Sequence, residues 1–284
     1  MNYIVCIKQV PDTTEVKIDD QTNNLIREGV PSIVNPSDLN ALEEALRSKE
    51  RLGGKVTVVS MGPMQAGEAL VYCLKMGADE AILLSDRAVG GSDTLATGYA
   101  LSEMIKPLKA DIIFCGNEAI DGSTGQVGPI IAGNLGIPQI TYVTKLDVEE
   151  NVVKACRDSG KTLCFYEAKL PAVVCVLKGI NTPRKPDQKT KKTYGIVSAA
   201  DIGLDLARVG NDGSPTRVVS VMMSNKRSKS YVTIDDSLDW EERIQMIIDG
   251  GIKKKTKVNL WRGAEETLAE RILDIKAIKR SLGQ

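Results

Sequence analysis

The chain has no histidine in its 284 residues. That single absence removes the commonest general base, proton shuttle and zinc ligand, so histidine-dependent hydrolytic triads and His-containing metal sites are excluded. Any chemistry must rest on backbone donors, hydroxyls, carboxylates or a cofactor that brings its own reactivity. A charge excess is missing as well, because 37 basic residues balance 37 acidic ones, and nothing global draws the chain to nucleic acid or to a membrane surface. No apolar run approaches the roughly 20 residues of a membrane span. Met1 to Lys8 has neither a charged leader nor a cleavage site, so a soluble cytoplasmic protein is expected. The cysteines Cys6, Cys73, Cys115, Cys156, Cys164 and Cys175 contain no C-x-x-C pair, and three of them fall in apolar strand-like runs. They read as buried, reduced thiols, and no metal site is expected. Internal repeats and low-complexity tracts are also missing.

The most informative stretch present runs from Ala110 to Pro129, where an apolar strand leads directly into a loop of small and hydroxylic residues that opens a helix. The first amides of a helix have no intrahelical partner, and the helix dipole adds positive potential there, so a phosphate is stabilised without a lysine. Gly122, Gly125 and Gly128 permit close approach, while Ser123, Thr124 and Gln126 offer short side-chain donors. An ordinary strand-to-helix turn is the alternative.

Short apolar runs alternate with helical patterns of ten to fifteen residues. Tyr3 to Val10 reads as a buried strand, and Asn35 and Pro36 start a helix that Gly53 and Gly54 stop. Strands follow at Lys55 to Met61, Ala81 to Ser85 and Asp111 to Cys115, with helices from about Met64 and from the Ser92-Asp93-Thr94 cap. This predicts an α/β fold with an open, mostly parallel sheet and helices on both faces, of the Rossmann-like, adenine-nucleotide-binding kind. Ligands bind such sheets at the carboxyl ends of the strands, and the loops after residues 10, 61, 91 and 116 gather there.

From Gln139 to Leu177 the pattern becomes three or four strands without long helices, predicting added antiparallel strands. Gly160-Lys-Thr162 there is no P-loop, because Ala155 stands where its first glycine belongs and no helix follows; a hairpin turn is expected. Residues 178–192 form a basic, proline-punctuated loop, either a solvated linker or a docking surface. The predicted organisation is an α/β domain over 1–200 and a C-terminal arm over 201–284, ending in a helix near Ala264 to Leu282. Its stripe Leu268, Ile272, Ile275, Ile278 and Leu282 suits docking on its own domain or on another subunit.

Several motifs in order carry a resemblance: Val5-Cys-Ile-Lys-Gln-Val10, Asn35-Pro36 before a Glu-Glu-Ala helix, Ser60-Met-Gly-Pro63, Met76-Gly-Ala-Asp79, Gly116 to Asp121 and Asn181-Thr-Pro-Arg184. Over roughly its first 200 residues the chain resembles the beta, or small, subunit of electron transfer flavoprotein. The resemblance implies a heterodimer with an alpha subunit and an adenine nucleotide in this subunit. In respiratory members that nucleotide is a structural AMP; in a subgroup from anaerobes it is FAD, which takes hydride from NADH and divides the electrons between ferredoxin and, through the alpha-subunit FAD, a flavin-dependent dehydrogenase acting on an acyl-CoA or a 2-hydroxy acid. Pro11 to Glu15, Ser92 to Thr97 and Asp121 to Pro129 resemble the second group, although Gly125 stands where that group usually has alanine. A structural AMP carrier and a universal-stress-type ATP-binding module are the alternatives. The latter would need a glycine-rich phosphate loop late in the chain and no partner.

Carried over by position, Cys6, Asn35, Met61 and the loop from Gly116 through Asp121, Gly122, Ser123, Thr124, Gly125 and Gln126 to Val127 would enclose the adenosine and phosphates. Asp93, Thr94 and Thr97 would hold the diphosphate or ribityl part, with Asp12 to Glu15 near the flavin and nicotinamide. No side chain is expected to be catalytic. Ile180, Asn181, Thr182, Pro183 and Arg184 would form the dehydrogenase-docking loop.

Overall fold

A computed structural model describes residues 1–12, 17–18, 25–26, 31–217 and 239–248. In chain order the elements are β1 (Asn2–Cys6), β2 (Gln9–Pro11), β3 (Lys17–Ile18), β4 (Leu25–Ile26), β5 (Ser32–Val34), α1 (Pro36–Leu52), β6 (Lys55–Met61), α2 (Gly67–Met76), β7 (Glu80–Leu84), α3 (Thr94–Ile105), β8 (Ile112–Gly116), α4 (Val127–Leu135), β9 (Gln139–Val148), β10 (Val152–Asp158), β11 (Leu163–Lys169), β12 (Ala172–Val176), β13 (Gly195–Val197), α5 (Gly210–Gly213) and α6 (Trp240–Ile248).

Nine strands form one sheet in the order β11-β10-β9-β12-β8-β1-β6-β7-β13. All its pairings are parallel except those of β10 with β9 and β11. The open, mostly parallel α/β sheet read from the sequence is therefore the observed fold. Two apolar clusters cover its faces, one packed under α1 and α2 and the other under α3 and α4. α1 illustrates why: Ala41, Leu42, Ala45 and Leu46 recur at helical spacing and are all buried, and each fully buried leucine contributes about 1.5–3 kcal/mol. Pro36 opens this helix, and Lys49 and Arg51 lie in its last turn, where cations favour the dipole. Gly77 ends α2 at φ 122°, a conformation that disfavours any residue with a Cβ.

Two expectations are corrected. Tyr3 to Val10 is not one strand, because the Lys8 amide donates to Asp38 Oδ2 at 2.8 Å and β2 then pairs antiparallel with β5 outside the main sheet. Of the runs after residue 138, β9, β10 and β11 take part in antiparallel pairing, through β9–β10 and β10–β11, and β12 does not. β12 joins in parallel between β8 and β9, and its Ala-Val-Val-Cys-Val side chains are all buried, as a strand covered on both faces requires. Gly160 does form the hairpin turn, at φ 83°.

Beyond β13 the chain continues into the same packed cluster. The first compact unit runs from Met1 to Met222. Leu204 and Val209 are buried in the α3–α4 cluster, the Arg208 guanidinium lies 3.7 Å over the Tyr99 ring of α3, and the Gly210 amide donates to Ser92 Oγ at 2.8 Å. Residues 201–217 thus pack on the α3 side of the sheet. The second unit, Met223 to Gln284, contributes α6 to the described residues. The terminal helix expected near 264–282 lies outside them. No helix among the described residues is long and apolar enough to cross a membrane.

Candidate nucleotide site at the carboxyl edge

β1 and β8 are neighbours, yet the chain leaves β1 for α1 on one face and leaves β8 for α4 on the other. The carboxyl ends of these strands therefore border the crevice that opens where sheet order reverses. Cys6 ends β1, Gly116 ends β8 and Met61 ends β6. Cys6 is nearly buried and Met61 partly so.

Asn35 is the hub of this edge. It occupies the position before α1, but its side chain does not cap the helix. Instead Nδ2 donates to Ser37 Oγ, Asp38 Oδ1 and the Glu118 carbonyl at 2.9, 3.0 and 3.0 Å, and Oδ1 accepts the Ile120 amide at 3.2 Å. Ser37 Oγ also donates to the Glu118 carbonyl, at 2.6 Å. One helix start thus suspends the loop that follows β8. Lys8 secures the loop further on, its ammonium lying 2.6 Å from Asp121. This pairing commits the Lys8 ammonium to a carboxylate of the loop.

Asn117 forms the opposite wall. Its amide donates to the Val176 carbonyl and its Oδ1 accepts the Tyr142 amide at 3.0 Å. Tyr142 sits at φ 56° where the register of β9 shifts. Such a conformation in a bulky residue is held by its surroundings and re-aims the side chain. The exposed ring carries the Arg157 guanidinium 5.5 Å from its centre.

Within the loop, Ser123 and Gly125 both have positive φ, 48° and 62°. Alternation of left- and right-handed residues turns successive amides toward one concavity, a nest suited to an anion. Gly122, Ser123, Thr124 and Gln126 are exposed. α4 follows at Val127, and its N-terminus lies beside that of α3, where Thr94 Oγ1 donates to Gln126 Oε1 at 2.7 Å. Asp93 is committed elsewhere: Oδ1 accepts the Ala96 amide, capping α3, and Oδ2 accepts both Thr216 Oγ1 and the Thr216 amide. Burial opposes the Asp93 charge, but these hydrogen bonds outweigh it and hold the carboxyl below its ordinary value. Thr97 Oγ1 points to the Ser92 carbonyl at 3.5 Å. Asp12 is exposed, and Thr13 to Glu15 lie outside the described residues.

The docking-loop residues follow the carboxyl end of β12 and run along α1. Asn181 exchanges side-chain hydrogen bonds with Asn40 and reaches Glu44, Arg184 pairs with Glu43 and Glu50, and Ile180 packs against the core. Pro183 is half-buried and only Thr182 is fully exposed. Residues 178–194 are therefore a strap laid over α1 and α2, tied again where the Asp187 amide donates to the Lys75 carbonyl and Lys192 Nζ to the Ala78 carbonyl. The strap carries the chain from β12 to β13 at the sheet's far edge.

Comparison with known proteins decides the family. The electron transfer flavoprotein domain model matches residues 22–202. The electron transfer flavoprotein subunit beta of Thermoanaerobacterium thermosaccharolyticum is 52% identical over 233 residues, covering 79% of this chain and 89% of that relative. The chain belongs to the electron transfer flavoprotein beta-subunit family. The subunit beta of Clostridium acetobutylicum is likewise 52% identical over 225 residues, 77% of this chain and 86% of the relative. The caffeyl-CoA reductase-Etf complex subunit CarD of Acetobacterium woodii is 46% identical over 225 residues, with the same coverage of 77% and 86%. Membership of this family makes the chain a subunit of an electron-transport flavoprotein.

Sequence reasoning missed Lys8, Ser37 and Asp38 as site residues. A signal for two of them was present: a helix start needs one polar cap, whereas Ser37 and Asp38 follow Asn35 and make three polar side chains within four residues. The surplus goes to the loop after β8.

Proposed function

We propose that this chain is the beta subunit of an electron-bifurcating electron transfer flavoprotein, binding FAD at the carboxyl edge for hydride transfer from NADH. The partners in this reading are the alpha subunit, ferredoxin and a flavin-dependent dehydrogenase acting on an acyl-CoA or a 2-hydroxy acid. The observation that carries it is the pair of helix N-termini joined by Thr94 and Gln126. One N-terminus with its nest suits a single phosphate, as in AMP; two side by side suit a diphosphate. The donor set fits: backbone amides of the loop and α4, the Thr94 hydroxyl and the Gln126 amide can neutralise two phosphates without a basic side chain.

When bound, the flavin supplies hydride acceptance and the division of the electron pair, one electron going to ferredoxin and the other to the alpha-subunit FAD. The chain's own residues bind and orient. Gly116 to Val127 wrap the phosphates, Cys6 and Met61 floor the crevice, Asp93 fixes the start of α3, and Thr94 and Thr97 lie along the second helix. The absence of histidine agrees with this division of labour, because hydride transfer asks the protein for position rather than for a proton. The relationship to CarD, named as part of a caffeyl-CoA reductase complex, supports an acyl-CoA-type partner.

The test is the absorbance spectrum and extracted-nucleotide content of this subunit purified with its alpha subunit. Two FAD per heterodimer, one of them bleached by NADH, is the expected result; one FAD and one AMP would make the chain a structural carrier. Thr94→Val removes the hydroxyl without changing side-chain volume. It is expected to lower FAD retention roughly tenfold, the worth of about one hydrogen bond to a charged group, with an unchanged circular dichroism spectrum; full retention would count against Thr94 at the diphosphate.

A further inference from the structure

We propose that Asp38 is a positioning residue of the nucleotide site: its carboxylate, at the start of α1, ties together the carboxyl ends of β1 and β8, and neutralising it weakens nucleotide binding. The inference rests on the nucleotide-binding reading above. Asp38 is 6% exposed. Its Oδ2 accepts the Lys8 amide at 2.8 Å and its Oδ1 accepts Asn35 Nδ2 at 3.0 Å. The Gly116 amide also donates to it. Lys8 follows β1, and Gly116 begins the loop that wraps the phosphates. Space is as restricted as bonding, since a Cβ added at Gly116 would lie 2.6 Å from Ser37 Oγ and 2.8 Å from the Asp38 amide nitrogen, and overlap Asp38 Oδ1 outright. The loop is thus set directly against this carboxyl group.

These three partners are donors. A carboxylate satisfies them, whereas a carboxylic acid must place its own O–H against one of them. Burial works in the opposite direction and pushes the Asp38 carboxyl up to about 7, against hydrogen bonds from Asn35, Lys8 and Gly116 and the charge of Lys8. The groups facing it are Lys8 beyond β1, the thiols of Cys115 on β8, Cys175 on β12 and Cys73 on α2, and on its own helix Ser37 and Asn35. Lys8, the one cation among them, is drawn toward Asp121. Without a histidine in the chain, no side chain here has an ordinary titration between pH 5 and 8. A proton taken up near neutrality therefore goes to Asp38, turns one acceptor into a donor and pushes away the end of β1 or of β8.

The experiment uses the heterodimer with its alpha subunit and measures adenine nucleotide retained by this subunit after dialysis from pH 5.5 to 9, in wild type and Asp38→Asn. Wild type is expected to retain nucleotide roughly tenfold better at pH 8.5 than at pH 6, with a midpoint near 7. Asp38→Asn turns an amide donor toward at least one of these donors and is expected to retain nucleotide at the low-pH level throughout, with a flat profile. Asp38→Ser, which removes the acceptor pair, is expected to behave likewise and serves if the asparagine variant does not assemble. A flat wild-type profile, or variants that keep the wild-type affinity and slope, would overturn the proposal while leaving nucleotide binding intact. A wild-type heterodimer with no nucleotide in this subunit would remove both readings.

Discussion

Arg184→Ala is expected to free residues 178–194 from the outer face of α1 and to lower unfolding stability by roughly 2–3 kcal/mol, measured by urea denaturation. Glu43 lies on α1 with a side chain only 5% exposed, while Arg184 is 32% exposed. Arg184 meets it with Nε and the backbone amide on Oε2 and a terminal nitrogen on Oε1, at 2.9, 3.0 and 3.1 Å. A second terminal nitrogen binds Glu50. Burial alone would raise the Glu43 pKa, but the hydrogen bonds and charge of Arg184, with the hydrogen bond of Arg47, outweigh it and hold the carboxyl below its ordinary value. Deleting the guanidinium strands a buried carboxylate, which in a fully buried pair costs about 3–5 kcal/mol. Partial exposure of the arginine and the remaining 3.0 Å bond from Arg47 reduce that figure.

The pH dependence follows from the direction of the shift. A glutamate with a lowered native pKa contributes stability that is present above its unfolded pKa and is lost as pH falls through the native value. Wild type should therefore lose this contribution on acidification below about pH 4.5, and Arg184→Ala should show a shallower loss over that window. Equal slopes would mean that the pair is not what holds the strap. Trypsin at pH 8 gives an independent reading, because Lys185, Lys189 and Lys191 are exposed on the strap and should be cut faster once it lifts.

The strap also marks what the sequence could not disclose. Its polar, proline-punctuated composition resembles a solvated linker or a free docking loop, because composition registers side-chain polarity and not the partners that satisfy it. Asn181 and Arg184 find theirs on Asn40 and Glu43, 141 residues earlier, and no local pattern encodes that separation. The sheet was legible for the opposite reason: each β-α unit writes its own periodicity, start and stop within about thirty residues, as Asp93 does in capping α3 and Gly77 in ending α2. The position of the loop after β8 was legible through Gly116, Gly122 and Gly125. Its suspension from Asn35, Ser37 and Asp38 was not, since a helix-start residue shows in sequence as a cap whatever its side chain later bonds. The bend of β9 at Tyr142 was hidden too, because nothing in Thr-Tyr-Val announces a left-handed residue; Asn117, on another strand's loop, accepts its amide.

Gly128→Ala should lower stability by about 1–3 kcal/mol and weaken nucleotide retention, although alanine is the better helix former by about 1 kcal/mol. The reason lies in a row of thiols. Cys6, Cys115 and Cys175 occupy matching positions on the adjacent strands β1, β8 and β12 and belong to one buried cluster facing α4. Hydrogen bonding with Cys115, together with burial, holds the Cys175 thiol well above its ordinary value, so it is an inert packing group rather than a reactive one. Gly128, in the first turn of α4, rests on this row. A Cβ there would overlap Cys175 Sγ, whereas Cys115 Sγ stays at 3.6 Å, an ordinary contact. The helix would have to lift, and with it the N-terminal amides proposed to meet the phosphates. Cys175→Ala removes the obstructing atom and should cost only about 1 kcal/mol by itself. In the double variant the added methyl fills the vacated space, so stability and nucleotide retention should return close to the Cys175→Ala level or exceed it, a coupling of about 1–3 kcal/mol. Strict additivity in denaturation and in nucleotide content would show that Gly128 does not set the height of α4 over the sheet.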